Sequence, residues 1–315
     1  MRFHLNYTPV TSDFKINHAS STFLIGSCFS ENIGEKLKDR KFNIRSNPNG
    51  NLFNPFSIQT ALLQLIQDEK INSKIFLQRD STYYSFLHHS SVNASAEKEL
   101  ITKINSMTEK SASFLKSCHY LFITFGSACY YHHKTLNCTV ANCHKQSALT
   151  FEKRLAKTDE IVQEYRSLIK KLNVFNPALK IIFTVSPVKH LKDGVIENNL
   201  SKSTLLLAVH QLVSENTNCF YFPAYELVND DLRDYRFYKE DLAHPNQQAI
   251  DYVWDKFSDC YFSPKTKQIN EEFYKLQLAL NHRKMEENEA ESEKLNEFLR
   301  KQKEEIKKLA PEIEF

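Results

Sequence analysis

Glycine is scarce in this chain: Gly26, Gly34, Gly50, Gly126 and Gly194 are the only five among 315 residues. In so glycine-poor a sequence, those present mark points where the backbone turns sharply or lets another group come close. Neither kind of phosphate-binding glycine loop occurs, so kinase and dinucleotide-enzyme readings have no support. No run of about 18 apolar residues is present either, which excludes a recognisable membrane-spanning helix. The opening stretch MRFHLNYTPVTSDF has no continuous apolar segment of the secretory kind. A soluble, cytoplasmic protein that needs no membrane partner is the expectation. Excess charge of one sign is missing as well. The 41 Lys and Arg and 38 Asp and Glu residues are interleaved, which gives no basis for a nucleic-acid partner. Seven cysteines, an odd number at scattered positions, make no disulfide framework and suit a reducing compartment.

What is present is an alternation of short apolar runs with amphipathic stretches. Phe23 to Ile25 ends at the corner Gly26-Ser27-Cys28, and a segment with Ile33 and Leu37 one turn apart follows. That pattern predicts a strand, a turn and a helix. Further strands are expected at 42–46, 120–124, 181–185 and 219–222. Helices are expected at 58–67, 94–116, 151–172, 201–215 and 247–257. The segments 74–78 and 82–86 read as weaker strands, and 47–56, with four Asn, two Pro and one Gly, reads as a structured loop. Such alternation is the pattern of an α/β fold with a parallel sheet covered on both faces. Ligands bind such sheets at the carboxyl ends of the strands. The Gly26 corner, the Asn-rich loop, the Gly126 turn, Ser186 and the segment from Asp241 to His244 are expected to meet there. From Lys265 onward charge dominates and apolar residues thin out. The reading is a domain over 1–264 and a charged helical extension over 265–315. The narrow apolar stripe of that extension would pack back on the domain or support a homo-oligomer.

Nucleophilic catalysis needs a nucleophile, a base within hydrogen-bond reach, an acceptor that orients the base, and donors for the developing oxyanion. Ser27 and Cys28 stand at the corner, and Asp241-Leu242-Ala243-His244 places a carboxylate three residues before an imidazole. That spacing suits a pair in which the carboxylate fixes the tautomer of the base. Each residue also has a plainer explanation. Cys28 could simply fill space, and His244 stands beside Pro245, where a helix begins. Cys138, Cys143, His144 and His132 or His133 are zinc-ligand types, but their spacing matches no common zinc motif, and no metal is assigned.

Gly26-Ser27-Cys28-Phe29-Ser30 resembles the signature of the GSCFA family, with Ser30 where the family name has Ala. Asn47-Pro48 through Asn54-Pro55, Ala141 to Lys145, Thr184 to Val188, Ser201-Lys202, Tyr221 to Glu226, and Asp234 through His244-Pro245 are similar to the same family. The family is a distant relative of the SGNH, or GDSL-like, hydrolases. The resemblance therefore implies a flavodoxin-like three-layer sandwich and ester chemistry without a cofactor. Laid on G-D-S-L, the corner puts Cys28 at the nucleophile position, while residue type points to Ser27. His244 would be the acid/base and Asp241 its orienting partner. Gly50 matches the relatives' oxyanion glycine, but Gly126-Ser127-Ala128 lacks the usual asparagine, leaving Asn142 as its replacement. His144 would be a second acid/base or substrate contact. The expected function is an ester hydrolase or acyltransferase acting on a small-molecule or glycan ester. The alternative is a catalytically silent member of the fold that binds a carbohydrate or a protein.

Overall fold

In the computed structural model, residues 5–67, 69–283, 289–311 and 313 are described. The chain opens with β1 (Ser21–Gly26), α1 (Cys28–Asp39), β2 (Asn43–Ser46) and α2 (Pro55–Gln67). A small antiparallel sheet of β3 (Phe76–Arg79), β4 (Thr82–Ser85) and β5 (Asn93–Ala94) precedes α3 (Glu97–Ser117) and β6 (Tyr120–Phe125). A second small sheet, β7 (Cys129–His133), β8 (Cys138–Val140) and β9 (Phe151–Leu155), leads into α4 (Thr158–Phe175). Then come β10 (Lys180–Val185), α5 (Val195–Glu215), β11 (Cys219–Tyr221) and a short α6 (Ala224–Glu226) that continues as a π-helical turn, Leu227–Leu232. The last helices are α7 (Gln247–Tyr261), α8 (Pro264–Arg283) and α9 (Glu289–Leu309).

The main sheet has the order β11-β10-β6-β1-β2, with every pair parallel. Numbered within that sheet alone, this is the 2-1-3-4-5 order of the flavodoxin-like folds, whose strand order reverses between the first and third strands. All six residues of β1 and of β6 are buried, so both strands read as apolar runs rather than alternating ones. The pleat still sorts their side chains by face. Phe23, Ile25, Leu121, Ile123 and Phe183 pack with Leu62, Tyr165 and Leu205 of α2, α4 and α5. Leu24, Phe122 and Ile182 pack on the other side with Ile33, Leu37 and Phe257 of α1 and α7. The result is three layers, helix, sheet and helix.

One expected helix is shorter than the sequence suggested. Phe151–Leu155 is a strand, paired antiparallel with Cys129–His133, and α4 begins only at Thr158. Phe151 packs on Phe86 and Val140 under the small sheet. Glu160 caps the backbone N–H of Lys157, so a capping interaction sets the true helix start. Helices α8 and α9 bury Ile269, Phe273, Leu276, Leu299 and Ile306 in a cluster of their own. The ring of Phe273 also reaches His18 of the domain, centroids 5.9 Å apart. Among the described residues, no helix is long and apolar enough to cross a membrane.

Candidate active site

The corner is made by a backbone only glycine tolerates. Gly26 has φ +134°, and a Cβ there would lie 2.2 Å from the carbonyl oxygen of Thr124 on β6. This close approach joins β1 to β6 at the point where the strand order reverses. Gly126 closes the other side: its N–H donates to the Phe53 carbonyl at 2.8 Å, and a Cβ on it would lie 3.2 Å from that of Ser27. The loop 47–56 is tied to the same corner, since Gly26 N donates to Asn47 Oδ1 at 2.9 Å and Leu52 N to the Gly26 carbonyl at 2.9 Å.

Ser27 is the N-cap of α1 and Cys28 its first residue, but the serine side chain makes no capping bond. Its Oγ is buried with no hydrogen-bond partner. Cys28 is partly exposed and lines a cleft with Asn32, Ser186, Pro187, Val188 and Pro245. Burial and then Glu31 push its thiol up, while its own backbone N–H and the charges of Lys239 and Lys202 pull it down. Ser30, the departure from the family signature, shares a 2.7 Å hydrogen bond with Thr124 across the sheet, so the extra hydroxyl is satisfied.

On the facing loop, the Asp241 carboxylate and the His244 imidazole form a pair. Oδ2 of Asp241 lies 2.6 Å from Nδ1 of His244, and Oδ1 accepts the backbone N–H groups of Ala243 and His244, both at 2.9 Å. These bonds draw the carboxyl down to about 2. Leu242, at φ +55°, makes the tight turn between the two residues. The cap of the following helix is Asn246, whose side chain accepts from Ala249 N, so His244 is not occupied in capping. Pro245, the next residue after His244, forms part of the cleft wall with Cys28, and Lys239 of this loop acts on the Cys28 thiol.

The other expected residues lie elsewhere. Gly50 N–H donates to the Asn47 carbonyl at 2.8 Å and is not free for an oxyanion. Asn142 accepts from the backbone N–H of His144 at 2.7 Å in a local turn. His144 is buried between the small sheets, its Nε2 2.8 Å from the Ser85 carbonyl oxygen and its ring beside Tyr84. None of the three lines the cleft. Ala128 is fully buried in the apolar layer, so a side chain at that position faces the core. Among the described residues, no three His, Cys, Asp or Glu side chains converge as a metal site would require.

Two residues near the corner carried no expected role. His190 is half-buried, and burial together with the charges of Lys202 and His244 lowers its ring to about 4 against the Gly126 backbone, which raises it. Lys202 is 1% exposed, and its Nζ donates to the carbonyls of Gly126 at 2.5 Å and Ser186 at 2.7 Å.

The sequence model of the GSCFA family matches residues 21–257, the span that contains the corner, the clamp of Lys202 and the Asp241–His244 pair. The chain belongs to the GSCFA family. No curated protein sequence matches it. Solved structures similar to it include a putative acylhydrolase from Bacteroides fragilis. That likeness has 10% identity and a TM-score of 0.40, covering 82% of this chain and 91% of the other. An acetylxylan esterase from Geobacillus stearothermophilus is similar at 14% identity and a TM-score of 0.39, covering 79% and 98%. An acetyl xylan esterase from Butyrivibrio proteoclasticus is similar at 9% identity and a TM-score of 0.39, covering 80% of this chain and 64% of the other. In this GSCFA chain, the family signature thus occupies the N-terminus of α1 at the point where the strand order reverses.

Proposed function

We propose that this GSCFA protein hydrolyses or transfers an acyl group held in ester linkage, with Cys28 as the nucleophile. The observation that carries the reading is the Asp241–His244 pair, bonded at 2.6 Å on the loop whose Pro245 shares the cleft with Cys28. Asp241 holds Nδ1 of His244, which leaves Nε2 as the proton carrier. Cys28 loses its proton to His244 as sulfur attacks the carbonyl carbon. The tetrahedral oxyanion collapses to a thioester, and His244 returns the proton to the leaving alkoxide. Water, or a second alcohol in the transferase case, then attacks the thioester by the same route. Ser27 does not cap α1 with its side chain, and of the first-turn N–H groups that of Ser30 donates to the Ser27 carbonyl at 2.9 Å, so those of Cys28 and Phe29 are the donors we assign to the oxyanion, where the helix dipole favours negative charge.

Cys28 is favoured over Ser27 because its side chain borders the cleft, whereas the serine oxygen is buried. The substrate class we infer is an acyl ester of a small molecule or of a glycan. The test is turnover of short acyl-nitrophenyl esters by the full chain and by His244→Ala. Full activity in that variant rejects the mechanism.

A further inference from the structure

The cleft bordered by Cys28 has a cavity volume of about 30 Å³, and its walls are mostly apolar. Phe29 and Ile33 come from one face of α1, four residues apart, and Ala249 and Val253 come from one face of α7 at the same spacing. Val228, in the π-helical turn after α6, and Val188, in the loop after β10, complete the wall. Phe29, Ile33, Val228 and Val253 also belong to the apolar layer that packs α1 and α7 on the sheet. Because close packing holds them in that layer, the cavity has a set size. One water-sized group needs about 10 to 15 Å³ by the same measure, so about two to three carbon-sized groups fill it. Among the described residues, no charged side chain lines it. A charged group placed there would lose its hydration with nothing to replace it. His244, which protonates the leaving oxygen in the mechanism above, is not part of this wall and is partly exposed. The alcohol therefore departs on the solvent side, and the acyl tail that stays on sulfur faces the cavity.

We propose that this cavity seats the tail of the acyl group and restricts it to short, uncharged chains of about two to four carbons, the carbonyl included, with Ala249 and Val253 of α7 setting the limit. This rests on the reading of Cys28 as the nucleophile. Each methylene that enters leaves water, which favours a butyryl tail over an acetyl one until the cavity is full. A longer tail must displace side chains from a packed layer, and a succinyl-type tail must bury a carboxylate. Ala249 has the smallest side chain on the wall and is fully buried, so enlarging it subtracts volume from the cavity. Val253 stands one turn further along the same face, and trimming it adds volume.

The test is disulfide formation at Cys28 with methyl, propyl and hexyl methanethiosulfonates, followed by peptide mass spectrometry on the full chain, with the partly exposed Cys129 as internal reference. The thiol loses its proton to the buffer, its sulfur bonds to the alkylthio sulfur of the reagent, and methanesulfinate leaves. The transferred sulfur stands where the carbonyl carbon would, so the alkyl group takes the place of the tail. Relative to Cys129, we expect the rate to hold or rise from methyl to propyl and to fall by about tenfold or more at hexyl, the usual discrimination of a pocket against a group it cannot hold. Val253→Ala should recover part of the hexyl rate, and Ala249→Leu should slow propyl against methyl. If either variant fails to fold, the wild-type series decides the proposal alone. A hexyl rate equal to the propyl rate at Cys28 overturns it, as does a decanoyl-nitrophenyl ester turned over as fast as the butyryl ester. Thiol labelling needs no ester turnover, so the outcomes separate. A rate that falls at hexyl in a protein that cleaves no ester of any length upholds the short-chain cavity and rejects the hydrolase reading. A flat series with ester turnover does the reverse.

Discussion

The Asp241 carboxylate holds His244 at two places, one oxygen on the ring Nδ1 at 2.6 Å and the other on the backbone N–H at 2.9 Å. Because both ends of the histidine are fixed by one side chain, the imidazole keeps one orientation and one tautomer. A base positioned in this way needs no reorganisation when it accepts a proton. Asp241→Asn keeps the shape but replaces an acceptor oxygen with a donor. Ester turnover is expected to fall by about 100- to 10,000-fold, the usual range for acid–base assistance, with the melting temperature little changed. Turnover within a few-fold of the wild type would remove Asp241 from the mechanism.

The choice between the two adjacent nucleophile candidates is measurable. Cys28→Ala is expected to abolish turnover, whereas Ser27→Ala should keep it within a few-fold. Ser27→Ala should also raise stability by up to about 1 kcal/mol, since a buried hydroxyl without a partner destabilises the fold. Activity that survives Cys28→Ala and disappears in Ser27→Ala would reverse the assignment.

Gly26 is where the corner is most sensitive. Its φ of +134° and the 2.2 Å approach of the Thr124 carbonyl leave no room for a methyl group. Gly26→Ala should destabilise the protein by at least about 2 kcal/mol in urea unfolding. Gly126→Ala, where the nearest atom lies 3.1 Å away and φ is ordinary, should cost less. Equal losses would show that backbone conformation is not what Gly26 supplies.

Lys202 gives stability a pH dependence with a definite sign. Burial lowers its amine from the ordinary 10.5 to about 7. Below that value the lysine is protonated in both folded and unfolded chains, and the cost of the buried charge is fully present. Between about 7 and 10.5 the unfolded chain binds a proton that the folded one does not, so stability rises with pH. The wild-type melting temperature, taken relative to that of Lys202→Met, should therefore climb across this window and level off above it. A flat difference would mean that the amine titrates normally.

Much of the frame was legible in the linear chain. Apolar runs of the length of β1, β6 and β10, set between amphipathic segments along the chain, have few alternatives to a covered parallel sheet. Cys28, Asp241 and His244 stood out because reactive residue types recurred in short motifs. The boundary at Phe151 did not, because a strand of five residues before a helix shares its apolar and charged composition with the helix. What decides it is pairing with Cys129–His133, a contact absent from the local sequence.

Lys202 and His190 were hidden for a related reason. Lysine is usually a surface residue, and nothing local to Ser201-Lys202 announces burial. A signal was available in the stripe of α5, where Asn198, Ser201 and Lys202 occupy the helical spacing that Leu205 and Leu212 continue. The linear order of residues by itself determined the strands of the main sheet, the glycine corner and the carboxylate three places before the imidazole, since these depend on neighbours along the chain. Only the tertiary structure decided that the amide of Gly50 is already bonded, that Asn142 and His144 belong to another part of the molecule, and that a lysine is buried against the Gly126 and Ser186 carbonyls. Those facts depend on which atoms the fold brings within a few ångströms, and hydrogen bonding and desolvation act only at that range.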